Sequence, residues 1–200
     1  MLFCTFRYRT AAHLHLMEAA AAQLYVRHTG HCSMMRLIGT FEVDRARRQA
    51  WQAGVLQGQW AAAYPQLFDD LDVQLATGPQ GDAGYHFAEW LGAIILHHVT
   101  GYHSLIAKYQ LPKHVAKRTV VRELGLANLL FRKHSEYGGT HGPDLLMYAP
   151  DRSAYFFCEV KGPGDALSPR QEKYFLHLEK ETGSPIRMLK FKWTTRAKGA

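Results

Sequence analysis

Three charged residues stand where apolar strands give out. In "YFFCEVKGPGD", Glu159 and Lys161 lie two residues apart at the end of a greasy run, with a glycine-proline-glycine turn directly after them. Side chains alternate along a strand, so Phe157, Glu159 and Lys161 share one face while Phe156, Cys158 and Val160 take the other. A second carboxylate, Asp144, opens the preceding apolar run in "GPDLLMYAPDRS". Pro150 and Asp151 suit a tight turn between the two runs. A hairpin centred between Asp151 and Arg152 sets Asp144 directly across from Glu159. Cβ atoms of such a pair lie roughly 4.5–5.5 Å apart, and two facing carboxylates repel unless a cation sits between them. Hard oxygen ligands at about 2.1 Å suit Mg²⁺ or Mn²⁺ rather than zinc. A cation held there polarises a phosphoryl oxygen and makes water nucleophilic near neutral pH. Lys161 adds a point charge for negative charge developing at a phosphate. A slip of one residue would send the two acids to opposite faces, so the register is the part a structure can test.

The elements that must hold these groups are legible around them. The run "AYFFCEVK" is apolar on both faces until its end, as a central strand covered on both sides should be. From "ANLLFRKHSEY" onward the chain reads as a strand, a "GGTHG" loop, the strands "PDLLMYA" and "AYFFCEVK", a helix and a last strand "IRMLKFKW". In "SPRQ", Ser168 stands as N-cap, Pro169 as the first helical residue and Gln171 three past the cap, a capping box that opens the helix. Its backbone N–H groups point toward the "GPGD" loop, where a phosphate could dock. Upstream, "YHFAEWLGAIILHHV" predicts an apolar helix with Glu89 as its single acid, and burying an unpaired charge is costly. The stretch "KYQLPKHVAKRTVVREL" reads as basic and exposed around Lys108, Lys113, Lys117, Arg118 and Arg122, with Glu123 explained by a salt bridge. Nearer the start, "TAAHLHLMEAAAAQLYVRH" and "FEVDRARRQAWQAGVLQGQWAAAY" predict helices, the second broken at Pro65. The glycine- and proline-rich "ATGPQGDAG" marks the best boundary in the chain. We therefore expect a helical N-terminal extension over residues 1–80 and a second unit over 81–200.

Composition narrows the partners. The 200 residues carry a net charge of +7, a surplus that favours polyanions, nucleic acid first. Cys4, Cys32 and Cys158 are odd in number and scattered, which points to a reducing compartment rather than a disulfide framework. No run reaches the roughly 18 apolar residues of a membrane span, and "MLFCTFRYRT" lacks the apolar core of a signal peptide; the expected location is cytoplasmic, with no membrane partner. "HTGHC", with His28, His31 and Cys32, lacks the second ligand pair of a zinc finger. His97, His98 and His103 read as structural, and His141 is noted for its closeness to Asp144. No phosphate-cradling glycine loop and no nucleophile elbow occur.

The string "GPDLLMYAPDRSAYFFCEVKGPGDALSPRQ" resembles the PD-(D/E)XK nucleases through Pro143-Asp144 and Glu159-Val160-Lys161. The extension "KGPGDALSPRQ" resembles their VRR-NUC branch, the module also found in the Fanconi-associated nucleases. The resemblance implies an α/β fold, with a PD-(D/E)XK restriction-endonuclease-like core of a small mixed sheet flanked by helices. It implies that Asp144 and Glu159 bind Mg²⁺ or Mn²⁺, with the Val160 carbonyl as a further ligand, and that Lys161 serves the attacking water and the phosphate. It also implies an acid from the first core helix: Glu89 is preferred over Glu123, which stays open. Gln171 matches a glutamine that family members carry near the active centre. The implied activity is metal-dependent endonucleolytic hydrolysis of DNA, selective for branched or flapped structure, with a homodimer as the family analogy for assembly. Lys113, Lys117, Arg118, Arg132, Lys133, Arg170 and Lys173 are the expected backbone contacts. A non-catalytic nucleic-acid-binding module and an RNA-directed nuclease are the alternatives.

Overall fold

In the computed structural model, which describes residues 36–77, 86–106, 109–131 and 142–194, the site-bearing hairpin lies within a mixed five-stranded sheet. The strands are β1 (Arg36–Val43), β2 (His103–Leu105), β3 (Leu145–Tyr148), β4 (Tyr155–Lys161) and β5 (Arg187–Trp193). Their spatial order is β1-β5-β4-β3-β2. β1, β5 and β4 run parallel, whereas β3 is antiparallel to both β4 and β2. Leu145 pairs with Cys158 and Tyr148 with Tyr155, and one step further out Asp144 faces Glu159. The expected register is the observed one. Its turn is held by Asp151, whose Oδ1 accepts from the Ser153 N–H and hydroxyl at 3.0 and 2.7 Å.

Helices cover both faces. α1 (Arg45–Gln52), α2 (Val55–Ala63), α3 (Asp70–Thr77) and α4 (Phe87–Thr100) precede β2. α5 (Val115–Glu123), α6 (Ala127–Leu130) and α7 (Pro169–Thr182) follow. Leu145, Met147, Phe156, Cys158 and Val160 pack with Trp51, Trp60, Phe87 and Trp90 from α1, α2 and α4. Leu146, Phe157 and Tyr148 pack against Val121, Tyr174, Phe175 and Leu178 from α5 and α7. The alternation expected of β4 is thus realised, with each face buried against its own layer. Within the first layer, Phe68 and Trp90 stack with ring centroids 3.8 Å apart. Trp90 is fully buried, and burial of a large apolar side chain is worth about 1.5–3 kcal/mol. α4 comes close to β4 because residue 92 is glycine: a Cβ there would stand 3.1 Å from Val160 Cγ2. That approach sets the start of α4 beside the end of β4.

Four expectations are corrected, one of them the strand read from Ala127 onward, since Ala127–Leu130 form the short helix α6. Phe41–Val43 belong to β1, not to a helix: Phe41 pairs with Phe191 and Val43 with Trp193. β-branched and aromatic residues fit that pleated, half-buried surface better than local helical preference suggested. The helix starts only after Asp44, whose carboxylate accepts from the Ala46 N–H at 2.8 Å, and it breaks at Gly54, where φ is +77°. As a result, residues 36–77 do not form a purely helical extension, since they supply a strand to the sheet and aromatic side chains to its core. A further correction is Lys117, which is buried rather than exposed. Its ammonium pairs with Asp72 and donates to the Ile106 carbonyl. The helix over 87–100 agrees with expectation. The first expected helix, His28, His31, Cys32, His141, Arg132, Lys133 and most of the "ATGPQGDAG" boundary lie outside the described residues. Among the described residues no helix is long and apolar enough to cross a membrane.

Candidate active site

The hairpin brings Asp144 and Glu159 into direct mutual contact. Asp144 Oδ2 accepts the Val160 N–H at 2.9 Å, and Glu159 Oε2 accepts the Asp144 N–H at 3.3 Å. Each carboxylate is therefore fixed by the other strand's backbone. Glu159 is 1% exposed, too deep to stand without partners. Lys161 Nζ supplies one at 2.7 Å from Oε1. Gln171 Nε2 supplies a second, donating to the same oxygen at 2.9 Å. Lys161 itself is 8% exposed, at the mouth of the strand.

Gln171 performs two tasks at once. Its side-chain oxygen accepts the Ser168 N–H at 3.1 Å, and its own N–H donates to Ser168 Oγ at 3.2 Å, completing the capping box. The amide group left over reaches Glu159. The helix start is thereby tied to the acid, and the intervening turn is closed by Asp165 Oδ2, which accepts the Gly162 N–H at 3.0 Å.

Glu89 enters from the first turn of α4. Its Oε2 lies 2.5 Å from His86 Nδ1. Its charge is felt at the pair: burial first, then Glu89 and Glu159, push the Asp144 carboxyl well above the usual carboxylate range. Burial also raises Glu159, against the pull of Lys161. Three acids crowd a place where one ammonium answers them. Glu123 belongs elsewhere, since its Oε2 accepts from Arg152 Nε at 3.1 Å beside the hairpin turn, at the far end of β4 from Lys161.

Two positioning residues were not picked out from the sequence. Tyr109, 1% exposed, donates its hydroxyl to the Pro143 carbonyl at 3.1 Å and so props the residue before Asp144. His86 holds Glu89. Tyr109 lies far from Pro143 in sequence and leaves no spacing to read, whereas His86 caps the start of α4 three residues before Glu89, a local spacing that could have found it.

Of the expected backbone contacts, Arg170 and Lys173 are exposed in the first turn of α7 beside Gln171, and Lys113 is exposed before α5. Arg118 is half-buried, with its guanidinium 3.5 Å from the Phe131 ring centroid and donating to the Gln110 carbonyl at 2.7 Å. Lys117 is removed from the set by its burial against Asp72.

The chemistry suits a hard divalent cation. The donors are carboxylate oxygens, and Asp144 Oδ1 takes no hydrogen bond among the described residues. The N–H and C=O of one strand residue point to the same side, so the Val160 carbonyl opens on the side of Asp144. Among the described residues no three His, Cys, Asp or Glu side chains converge as a ready ligand cluster. Glu89 is turned to His86 and Glu159 to Lys161.

A mixed sheet with helices on both faces, and an Asp/Glu/Lys set at the open end of its central hairpin, has the form of a PD-(D/E)XK-like core. Residues 99–193 match the family model of the VRR-NUC domain. Glu89 and the first strand precede the matched segment. Among solved structures, the chain is similar to a crystal structure of paFAN1 bound to 2nt 5′ flap DNA with gap, at 14% identity and a TM-score of 0.31. The similarity covers 88% of this chain and 41% of that one, so this chain spans less than half of that protein's length. No curated protein matches the chain at a significant level.

Proposed function

We propose that this protein is a divalent-metal-dependent nuclease that hydrolyses phosphodiester bonds in DNA, with Asp144, Glu159 and Lys161 at the reacting centre. The observation that carries this reading is the reciprocal contact of Asp144 and Glu159, with Lys161 2.7 Å from Glu159. Asp144, Glu159, the Val160 carbonyl and Glu89 are the residues that would hold Mg²⁺ or Mn²⁺. A divalent cation bound there would polarise a phosphoryl oxygen and offset charge at the phosphate. The raised Asp144 carboxyl fits such a site, because a cation among crowded acids relieves their repulsion. Binding would draw Glu89 away from His86.

The protein's own groups do the rest. Gln171 and Lys161 orient Glu159 from two sides. Lys161 stays within reach of an incoming phosphate while its ammonium rests 2.7 Å from Glu159 Oε1. The first turn of α7 presents Arg170 and Lys173 to the strand that enters. Such contacts read the backbone and carry little sequence information, which favours branched or flapped duplex over a base-specific site. The proposal needs no second copy of the chain.

The test is cleavage of a labelled flapped duplex and of plasmid in Mg²⁺, in Mn²⁺ and in EDTA. Metal-dependent cutting supports the reading. Cutting that is equal in EDTA overturns it, and binding without cutting in any metal favours the non-catalytic module.

A further inference from the structure

The carboxyl ends of β4, β5 and β1 lie side by side because the three strands run parallel. β4 ends in the candidate site. Lys161 is the register partner of Lys190, and Trp193, three residues further along β5, pairs with Val43 at the end of β1. The Thr194 N–H donates to the Val43 carbonyl at 3.0 Å and closes that corner. α1 opens next, past the Asp44 cap, and carries Arg45, Arg47 and Arg48 in "RARRQAWQ". A helix with three arginines is thus delivered to the same end of the sheet as Glu159 and Lys161. Strand spacing and rise put its start on the order of 15 Å from Lys161, about four base steps of duplex at 3.4 Å each.

The arginines are organised. The guanidinium carbons of Arg45 and Arg48 stand 4.8 and 5.5 Å from the Trp193 ring centroid, a stacking worth about 0.5–1 kcal/mol at an exposed site. Trp193 packs in turn against the core, so its ring serves as a platform for the cations and is not open to a base. A stacked guanidinium keeps its N–H edge free and loses less freedom on meeting a phosphate, which it can grip with two parallel hydrogen bonds. Arg45 and Arg47 are exposed and Arg48 half-exposed, and among the described residues none of the three is ion-paired. The two neighbouring acids are already engaged. Glu42 pairs with Lys192 at 3.3 Å, and Asp44 caps α1. Lys190 is exposed between this corner and Lys161, bridging the gap with positive charge.

We infer that Arg45, Arg47 and Arg48, mounted on Trp193, form a phosphate-binding platform that holds the arm of a DNA substrate leaving the cleavage site. This inference rests on the proposed nuclease reading for the place of the scissile phosphate. Most of the platform lies in residues before the VRR-NUC segment.

The experiment is fluorescence anisotropy of a labelled duplex carrying a 5′ single-stranded arm, titrated in EDTA across a salt series with the full chain. Arg45→Ala/Arg47→Ala/Arg48→Ala should weaken binding at least about tenfold and flatten the log-affinity against log-salt slope by about 2–3. The corresponding triple lysine variant should keep the wild-type slope while binding more weakly, since it retains charge and loses the fork. Wild-type affinity and slope in the triple alanine variant would overturn the inference, whether or not the chain cuts. A chain that loses affinity with these arginines but never cleaves would uphold the platform and sink the nuclease reading. Failure of the wild type to bind would overturn both.

Discussion

Asp144 and Glu159 each fasten the other's strand: Asp144 Oδ2 takes the Val160 N–H at 2.9 Å, and Glu159 Oε2 takes the Asp144 N–H at 3.3 Å. Two acids that repel through space are locked together through the backbone. This geometry costs stability when both are ionised, and it is the geometry a cation would need.

That cost is measurable at Asp144. Its folded carboxyl titrates well above the ordinary value, so the folded chain keeps a proton that the unfolded chain releases. Stability from this group is present below the unfolded value and is lost as pH rises through the folded one. Asp144→Asn keeps an oxygen for the Val160 N–H and removes the charge. In EDTA at about pH 8 the variant should melt above wild type, by roughly 2–4 °C for each 1 kcal/mol relieved. The gap should shrink as pH falls and close only near the unfolded carboxyl value, about pH 4. A variant that melts lower at both pH values would contradict the account.

Lys161→Ala removes the ammonium that faces Glu159 and the incoming phosphate. Cleavage should fall by about 10²-fold or more, while anisotropy of a bound duplex changes by less than about threefold. Near-normal cleavage would remove Lys161 from the reacting centre.

Glu89 and Glu123 separate by place. Glu89→Ala should abolish most cleavage. Glu123→Ala should leave it near normal and cost less than about 1 kcal/mol, since its partner Arg152 is a surface residue. The opposite pattern would relocate the third acid to the far end of β4.

Lys117→Met tests the buried pair with Asp72. Burial raises Asp72 to about 6 even beside its lysine. Without the lysine the ionised carboxylate is uncompensated, a loss of about 3–5 kcal/mol at neutral pH. Because Lys117 is among the influences that lower Asp72, the carboxyl climbs further in the variant. The deficit should therefore shrink between about pH 8 and about pH 5, as the acid takes up a proton. Chemical denaturation at the two pH values measures it, and a duplex-binding salt slope equal to wild type would confirm that Lys117 touches no phosphate.

The hairpin was readable because its information is local. A turn centre and strand alternation suffice to place Asp144 opposite Glu159, and Ser168, Pro169 and Gln171 announce the helix that braces them. Glu89 stood out for a different reason, as a lone acid in an apolar helix, and the structure sets it in the first turn of α4 within electrostatic reach of Asp144. β1 was not, because "FEVDRARRQ" runs without a breaker into helix-forming residues, and its strand state comes from pairing with β5, far away in sequence. Lys117 looked exposed among other cations for the same reason: Asp72, which buries it, sits on α3. Tyr109 acts across elements and leaves no spacing to detect, while His86, three residues before Glu89 at the start of α4, was a local signal left unread. What local chemistry dictates could be read, and what tertiary pairing dictates could not.

On the proposed reading, the facing carboxylates of Asp144 and Glu159 hold a divalent cation. Electron paramagnetic resonance of free Mn²⁺, titrated against wild type and Asp144→Asn, measures this without relying on activity. Wild type should take up Mn²⁺, and the variant should lose that uptake. Equal uptake by both chains, or none by wild type, would contradict it.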